Sequence, residues 1–242
     1  MTPLVCLHGF MDTGRTWDLA LPALEREHEV LAPTLRGATS AEALADEAER
    51  AMDEAGLATA HIAGNSLGGY LALVLAARGR ARSVVAFAPA GGWADDSWRA
   101  TLALQARIYE QTKLAAPRAD AILATPEGRR RATEYITVRY EHIPVELLTH
   151  QLLGVAASDA APAMIENALR SEQPWPLDPE RVTCPLRIVW GAEDRLLPWP
   201  TAAERYRAAF PNADWIVLDG VGHCPQLDVP LEAAQLILGF TS

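Results

Sequence analysis

The chain has 242 residues, of which half are hydrophobic, so it can bury a large core and is not globally disordered. Its 31 acidic residues outnumber its 21 basic residues and give a formal net charge of −10 at pH 7. This balance argues against nucleic acid and against anionic membranes as partners. The length suits one domain, or one domain that carries a large insertion.

Short apolar runs alternate along the chain with helical patterns, and such runs are typical of strands buried on both faces. Strands are predicted at residues 3–7, 29–31, 60–63, 83–88, 186–190 and 215–218. Helices are predicted at residues 16–27, 40–55, 67–78, 201–209 and 231–238. The alternation predicts an α/β fold, with a mostly parallel sheet of about six strands flanked by helices.

Residues 91–179 interrupt this alternation. The segment is rich in Ala, Leu, Arg and aromatic residues at helical spacing, and prolines punctuate it. We interpret it as a set of helices inserted between two strands of the sheet. The predicted organisation is therefore a core made of residues 1–90 and 180–242, with a helical insertion at 91–179.

The most specific motif is Gly64-Asn65-Ser66-Leu67-Gly68, which lies between a predicted strand and a predicted helix. A G-x-S-x-G sequence in this context is typical of a nucleophile elbow, a sharp turn that exposes the serine Oγ. The following helix directs its positive end at the site and favours a developing oxyanion. Ser66 is therefore the candidate nucleophile.

A serine nucleophile needs a base, and the base needs a group that orients it. His223 follows the last predicted strand in a Gly-rich loop, at the sheet edge where active sites collect. Asp194 follows the preceding strand and is the predicted orienting carboxylate, with Glu193 as the alternative. The chain order Ser66, Asp194, His223 is the order found in α/β-hydrolases.

An oxyanion hole needs two backbone N–H donors. One is expected from Leu67, the residue after the nucleophile, and the other from the loop after the first strand. That loop is His8-Gly9-Phe10, so we predict the second donor to be the N–H of Phe10. His8 is expected to make local hydrogen bonds that shape the loop, not to act as a base.

Together these motifs resemble the α/β-hydrolase superfamily, in its cap-bearing serine esterase, lactonase and C–C hydrolase branch. The resemblance implies that residues 91–179 form a helical cap, or lid, over the active site. It also implies that large aromatic residues of the cap line the substrate pocket. The candidates are Trp93, Trp98, Tyr109, Tyr135, Tyr140 and Trp175. Haloalkane dehalogenases and epoxide hydrolases resemble this fold but carry Asp at the elbow, so Ser66 favours acyl transfer.

Three functions remain open at this stage. The first is a serine hydrolase that cleaves a small-to-medium carboxylic ester, thioester or lactone through an acyl-enzyme. The second keeps the triad but acts as a C–C bond hydrolase or a menaquinone-pathway-like lyase, with Arg36, Arg107 or Arg139 holding an anionic substrate. The third is a non-catalytic ligand-binding or signalling member of the fold.

Remaining features add expectations about partners and compartment. Cys6, Cys184 and Cys224 are too few and too scattered for a disulfide framework or a zinc cluster, so no metal or other cofactor is expected. No signal peptide is visible, and no run approaches the roughly 18 to 20 apolar residues that span a bilayer. We expect a cytoplasmic protein, as a monomer or homodimer, whose partner is a small ester-like molecule.

Overall fold

The computed structural model describes residues 1–241 and contains one sheet of six parallel strands, in the order β2-β1-β3-β4-β5-β6. The strands are β1 Thr2–Leu7, β2 His28–Leu31, β3 Ala60–Asn65, β4 Ala81–Phe87, β5 Leu186–Gly191 and β6 Asp214–Leu218. The prediction of a parallel sheet of about six strands is confirmed. The strand order reverses between β1 and β3, and ligand sites of open α/β sheets lie at such a reversal, outside the carboxyl ends of the strands.

Helices cover both faces of the sheet. They are α1 Leu21–Leu24, α2 Ala41–Glu54, α3 Leu67–Ala77, α4 Trp98–Ala115, α5 Ala119–Leu123, α6 Pro126–Ala132, α7 Val145–Ala156, α8 Ala161–Arg170, α9 Glu204–Ala209, α10 Pro225–Asp228 and α11 Pro230–Leu238. None of these helices is long and apolar enough to cross a membrane.

Side chains alternate between two cores, one on each face of the sheet. In β1, Val5 and Leu7 pack on the face covered by α2 and α3, whereas Leu4 and Cys6 pack on the face covered by α1 and α11. All four side chains are fully buried. This double burial explains why the strands read as continuous apolar runs in the sequence.

The predicted helix at residues 16–27 is wrong. The segment contains a 3-10 turn at Gly14–Trp17 and the four-residue helix α1. Pro22 lies in the first turn of α1, where its missing N–H is tolerated. In the middle of a longer helix the same residue would lose a backbone hydrogen bond and clash with the carbonyl of Asp18, so a continuous helix is excluded.

Five helices, α4 to α8, lie between β4 and β5. Helix α4 packs against α7 and α8, and α7 also packs against α5 and the 3-10 turn at Gly14–Trp17. The 3-10 turn belongs to the connection that follows β1. The inserted helices therefore reach the edge of the sheet at which the strand order reverses.

Candidate active site

Ser66 occupies a sharp turn between β3 and α3. Its backbone has φ 57° and ψ −118°, a positive-φ conformation that is strained for a residue with a side chain. Three backbone hydrogen bonds hold it there. Its N–H donates to the carbonyl of Phe87 (2.8 Å), and its own carbonyl accepts from Ala90 (3.0 Å) and Tyr70 (3.1 Å). The surrounding backbone therefore imposes the strained conformation.

The two flanking glycines are required by close backbone approach. A Cβ atom at Gly64 would lie 2.2 Å from the carbonyl oxygen of Gly68, and one at Gly68 would lie 2.3 Å from that of Leu7. Neither distance is possible for real atoms, and the contacting groups are main chain that cannot rotate away. The spacing of glycines around Ser66 is thus a direct consequence of how tightly α3 turns back against β1 and β3.

Asp194 and His223 form a buried pair at the carboxyl ends of β5 and β6. His223 Nδ1 lies 2.7 Å from Asp194 Oδ2, and the two side chains are 2% and 0% exposed. Asp194 Oδ1 accepts hydrogen bonds from the N–H groups of Leu196 (2.9 Å) and Leu197 (2.7 Å). These two bonds fix the carboxylate so that Oδ2 can accept a hydrogen bond from Nδ1–H of His223. The proton of the neutral ring is then on Nδ1, and Nε2 carries the lone pair. Glu193, the sequence alternative, is exposed.

Ser66 and His223 line one cavity of about 90 Å³, named here the histidine cavity. His223 Nε2 is buried and has no hydrogen-bond partner in residues 1–241. The nitrogen is therefore available to accept a proton from a group in the cavity. The three residues singled out from the sequence are thus brought together, although Ser66 lies more than a hundred residues before the other two in the chain.

The loop after β1 runs beside Ser66. A Cβ atom at Gly9 would lie 3.4 Å from the Cβ of Ser66, and Met11 adopts a positive φ of 62° that bends the chain just after Phe10. No backbone group of residues 1–241 accepts a hydrogen bond from the N–H of Phe10 or of Leu67. Phe10 and Leu67 also line a second cavity beside Ser66, described below.

His8 holds this loop in place. Its Nε2 accepts a hydrogen bond from the N–H of Leu35 (2.8 Å), and Nδ1 lies 2.7 Å from the carbonyl of Gly9. This pattern requires a neutral ring with the proton on Nδ1. Burial lowers the pKa of His8, which agrees with that tautomer. Both ring nitrogens are occupied, so the side chain joins the loops that follow β1 and β2.

The second cavity next to Ser66 measures about 20 Å³ and is named here the tryptophan cavity. Trp93 and Trp175 line it, as do Leu102 of α4 and Met164 of α8. Tyr135 lines a neighbouring cavity of about 150 Å³, which shares Phe10 and Gln105 with the histidine cavity.

The other three aromatic candidates lie outside the cavities that contain Ser66. Trp98 is buried in the larger core, with the guanidinium of Arg99 over its ring at 4.3 Å. Tyr109 is buried, and its hydroxyl accepts a hydrogen bond from Lys113. Tyr140 packs against a small cluster in which residues of the inserted segment meet Cys224 and Leu227. For these three residues the structure shows packing and not pocket lining.

Asn65 was not singled out from the sequence, yet it connects the elbow to the histidine loop. Its amide donates to the carbonyls of His223 (2.8 Å) and Phe87 (3.3 Å). Its Oδ1 accepts from Gln226 Nε2 (3.1 Å) and Cys224 Sγ (3.2 Å). All four hydrogen-bonding positions of a buried amide are thus used. Burial raises the pKa of Cys224 well above its ordinary value, so this thiol stays neutral and is no rival nucleophile.

Asp228 was also missed, and it ties the inserted helices to the histidine loop. Its buried carboxylate accepts hydrogen bonds from the N–H groups of Gly222 (2.6 Å), Arg139 (2.6 Å) and Val138 (2.9 Å). Gly222 precedes His223, whereas Val138 and Arg139 connect α6 to α7. One carboxylate therefore fixes the histidine loop against the insertion.

Replacing Asp228 by Asn is expected to lower the free energy of unfolding by about 2 to 3 kcal/mol, because an amide N–H₂ would face backbone N–H donors. Urea denaturation measures the change. Asp219→Asn is the matched control, since it makes the same substitution at an exposed position of the loop that joins β6 to α10. Equal stability of the two variants would contradict the assigned role of Asp228.

Comparisons with known proteins agree with this geometry. A family model described as "Alpha/beta hydrolase family" matches residues 4–236. Epoxide hydrolase EphH of Mycobacterium tuberculosis is 34% identical over 212 residues, which cover 83% of this chain and 94% of the relative.

Two solved structures show the same fold. A membrane phospholipase A, described as a bacterial virulence factor, has a TM-score of 0.76 at 24% identity, covering 99% of this chain and 78% of that one. The 2-hydroxy-6-oxo-6-phenylhexa-2,4-dienoate hydrolase of Rhodococcus sp. strain RHA1 has a TM-score of 0.75 at 20% identity, covering 99% and 90%.

Proposed function

Because this chain belongs to the alpha/beta hydrolase family and is a hydrolase, we propose that it cleaves a small-to-medium carboxylic ester, thioester or lactone. The observation that carries the proposal is the shared cavity of Ser66 and His223, in which Nε2 has no hydrogen-bond partner within residues 1–241 and Nδ1 is bonded to Asp194. This is the arrangement that turns a serine hydroxyl into a nucleophile.

The proposed reaction proceeds through an acyl-enzyme. Ser66 Oγ attacks the acyl carbon while His223 Nε2 takes the hydroxyl proton, and Asp194 stabilises the imidazolium that forms. The same proton then goes to the leaving atom, which is the alkoxy oxygen of an ester or lactone or the sulfur of a thioester. In the second half of the reaction His223 takes a proton from water, which attacks the acyl-enzyme. The proton returns to Ser66 Oγ as the carboxylic acid leaves. No cofactor is required for any of these steps.

The negative charge that develops on the acyl oxygen needs donors that are already in position. We assign this role to the N–H groups of Phe10 and Leu67, which lie on the two backbone segments that meet beside Ser66. A donor of this kind typically contributes about 3 to 4 kcal/mol to the transition state. The N-terminal end of α3 adds its positive dipole at the same place.

The inserted segment at 91–179 is proposed to act as the cap. Residues of α4, α7 and α8 line the cavities that contain Ser66, so this segment closes the site from the side opposite the sheet. The leaving oxygen must lie within reach of His223, which places the alcohol part of the substrate in the histidine cavity. The acyl part then occupies the tryptophan cavity, whose volume suits a short chain.

Chemistry on an anionic C–C substrate is less well supported. No Lys or Arg side chain of residues 1–241 lines either cavity that contains Ser66. Of the three candidate cations, Arg36 is exposed and lines an adjoining cavity of about 270 Å³, which shares Phe10 and Leu67 with the tryptophan cavity but does not include Ser66. Arg107 and Arg139 are exposed. A substrate carboxylate at Ser66 would lose its hydration without gaining a charged partner.

Epoxide opening, the activity in the name of the 34% identical relative, also fits this site poorly. Attack of Ser66 on an epoxide would form an ether, and an ether carbon is not an acyl centre that water can attack. The enzyme would be trapped after one turnover. An Asp at the elbow avoids this because it forms an ester, and the present chain has Ser66 there.

A substrate panel tests the proposal. It contains p-nitrophenyl esters from acetate to dodecanoate, a lactone, a thioester, styrene oxide and a vinylogous 1,5-diketo acid. We expect kcat/KM to be highest for esters with short acyl chains and to fall at least about tenfold from acetate to octanoate, since the tryptophan cavity has little room. Faster turnover of the epoxide or the diketo acid than of any ester would contradict the proposal. Tight binding without turnover would favour the ligand-binding alternative.

A further inference from the structure

Among residues 1–241, three polar side chains line the histidine cavity besides Asn65, Ser66 and His223. They are Asp12 in the loop after β1, Gln105 in α4 and Gln151 in α7. The remaining side chains of the lining are apolar, apart from the thiol of Cys224. None of these three polar residues has a role in the reaction proposed above, although all of them face the space assigned to the leaving alcohol.

Gln151 presents an unused hydrogen-bond acceptor. The residue is 7% exposed, and its Oε1 is buried without a hydrogen-bond partner in residues 1–241. Asp12 lines the same cavity, and a carboxyl beside an amide favours the donor end of that amide, so the acceptor end is the one left for a ligand. Burial raises the pKa of Asp12, and Gln151 is among the neighbours that lower it.

A buried acceptor without a partner is costly, so a ligand group that enters the cavity and donates to it is stabilised there. The missing partner must be a hydrogen-bond donor. A cationic donor would lose its hydration in a cavity whose lining includes Ile136, Val155 and Leu196, and burial raises the pKa of Asp12, the one carboxyl of residues 1–241 that lines it. A hydroxyl group is small and neutral, and it can donate to Gln151 while accepting from Gln105, whose side chain is largely buried.

We propose that Asp12, Gln105 and Gln151 form a subsite that binds a hydroxyl group on the alcohol part of the substrate. The favoured substrates are thus monoesters of a diol or other polyol with a short-chain acid. This inference rests on the proposed ester hydrolysis for the position of the leaving group. It goes beyond that proposal by naming the alcohol and the residues that select it.

The test compares 2-hydroxyethyl acetate with propyl acetate, two esters of nearly equal size that differ by a hydroxyl in place of a methyl group. Acid release in a pH-stat gives kcat/KM for each. We expect the wild-type protein to prefer the hydroxyethyl ester by at least about tenfold, since binding an ester without the hydroxyl leaves the buried acceptor unpaired. Gln151→Leu should reduce this ratio to below about threefold, and Gln105→Leu should reduce it in the same direction.

The matched control is Gln111→Leu, which makes the same substitution at an exposed position of α4. It should keep the wild-type ratio. A wild-type ratio near one would overturn the proposal, as would a Gln151→Leu variant that keeps the preference for the hydroxyethyl ester.

A second measurement separates this inference from the proposed reaction. Isothermal titration of the Ser66→Ala variant with the same two esters reports binding without turnover. Tighter binding of the hydroxyethyl ester, lost in the Ser66→Ala/Gln151→Leu double variant, supports the subsite even if the wild-type protein hydrolyses neither ester. Equal binding of both esters would overturn the subsite even if ester hydrolysis is confirmed.

Discussion

Ser66→Ala is expected to lower kcat for p-nitrophenyl acetate by about 10⁴- to 10⁶-fold, the range found when a serine nucleophile is removed from a working triad. The substitution deletes only the attacking oxygen. The backbone bonds from Ser66 to Phe87, Ala90 and Tyr70 do not involve the side chain and should persist. Initial rates measured at saturating ester give the loss.

The fold of this variant must be shown separately. Alanine keeps a Cβ and tolerates the positive φ of position 66 as poorly as serine does, so the thermal unfolding midpoint should change little. Activity within tenfold of the wild-type protein, in a variant that is folded and free of contaminating esterase, would contradict the role assigned to Ser66.

Asp194→Asn is expected to lower kcat by about 10⁴-fold with little change in KM. The asparagine can still bond to the N–H groups of Leu196 and Leu197 through its oxygen. Its N–H₂ would then face His223 Nδ1, which would have to accept a hydrogen bond. The proton would move to Nε2, and the ring could no longer take a proton from Ser66.

Glu193→Gln is the matched control for this prediction. It makes the same change of acid to amide at the adjacent, exposed position. It should leave kcat within about twofold of the wild-type value, because surface substitutions have small effects. Similar losses in the two variants would show that the effect comes from the loop in general and not from the bond to His223.

The main features of the fold follow from local patterns. The four inner strands, β1, β3, β4 and β5, are buried on both faces, so their apolar runs are visible without any knowledge of their neighbours. The elbow is also a local feature, since Gly64, Ser66 and Gly68 lie within five residues. The selection of Asp194 and His223 combines the rule that sites collect at the carboxyl ends of parallel strands with the chain order Ser, Asp, His. Neither argument decides between Asp194 and Glu193.

What the sequence did not reveal depends on contacts between distant segments. Asp228 bonds to backbone N–H groups of Gly222 and of residues 138 and 139, and no sequence pattern marks a carboxylate for that task. Asn65 gains its role only when the loop carrying His223 reaches it. The helix predicted at 16–27 is interrupted by Pro22, which lies in the middle of that range. Proline in a helix interior removes a backbone hydrogen bond, and this cost exceeds the gain from the helical spacing of apolar residues.

The aromatic residues of the insertion are a second case in which the sequence alone cannot identify which side chains line a pocket. Trp93, Trp98 and Trp175 are all buried in the larger core, but only Trp93 and Trp175 also line the tryptophan cavity. Large aromatic side chains stabilise a core and line a pocket by the same burial of area. Their spacing within the sequence cannot distinguish the two, because the answer depends on how α4 and α8 pack together.

The central claim is that Ser66 is a nucleophile activated by His223, and covalent labelling tests it most directly. The protein is treated with a fluorophosphonate probe, and the adduct is located by peptide mass spectrometry. The account predicts a single adduct on Ser66, formed much more slowly in His223→Ala and absent from Ser66→Ala. An adduct on another residue, or labelling that persists in Ser66→Ala, would contradict it.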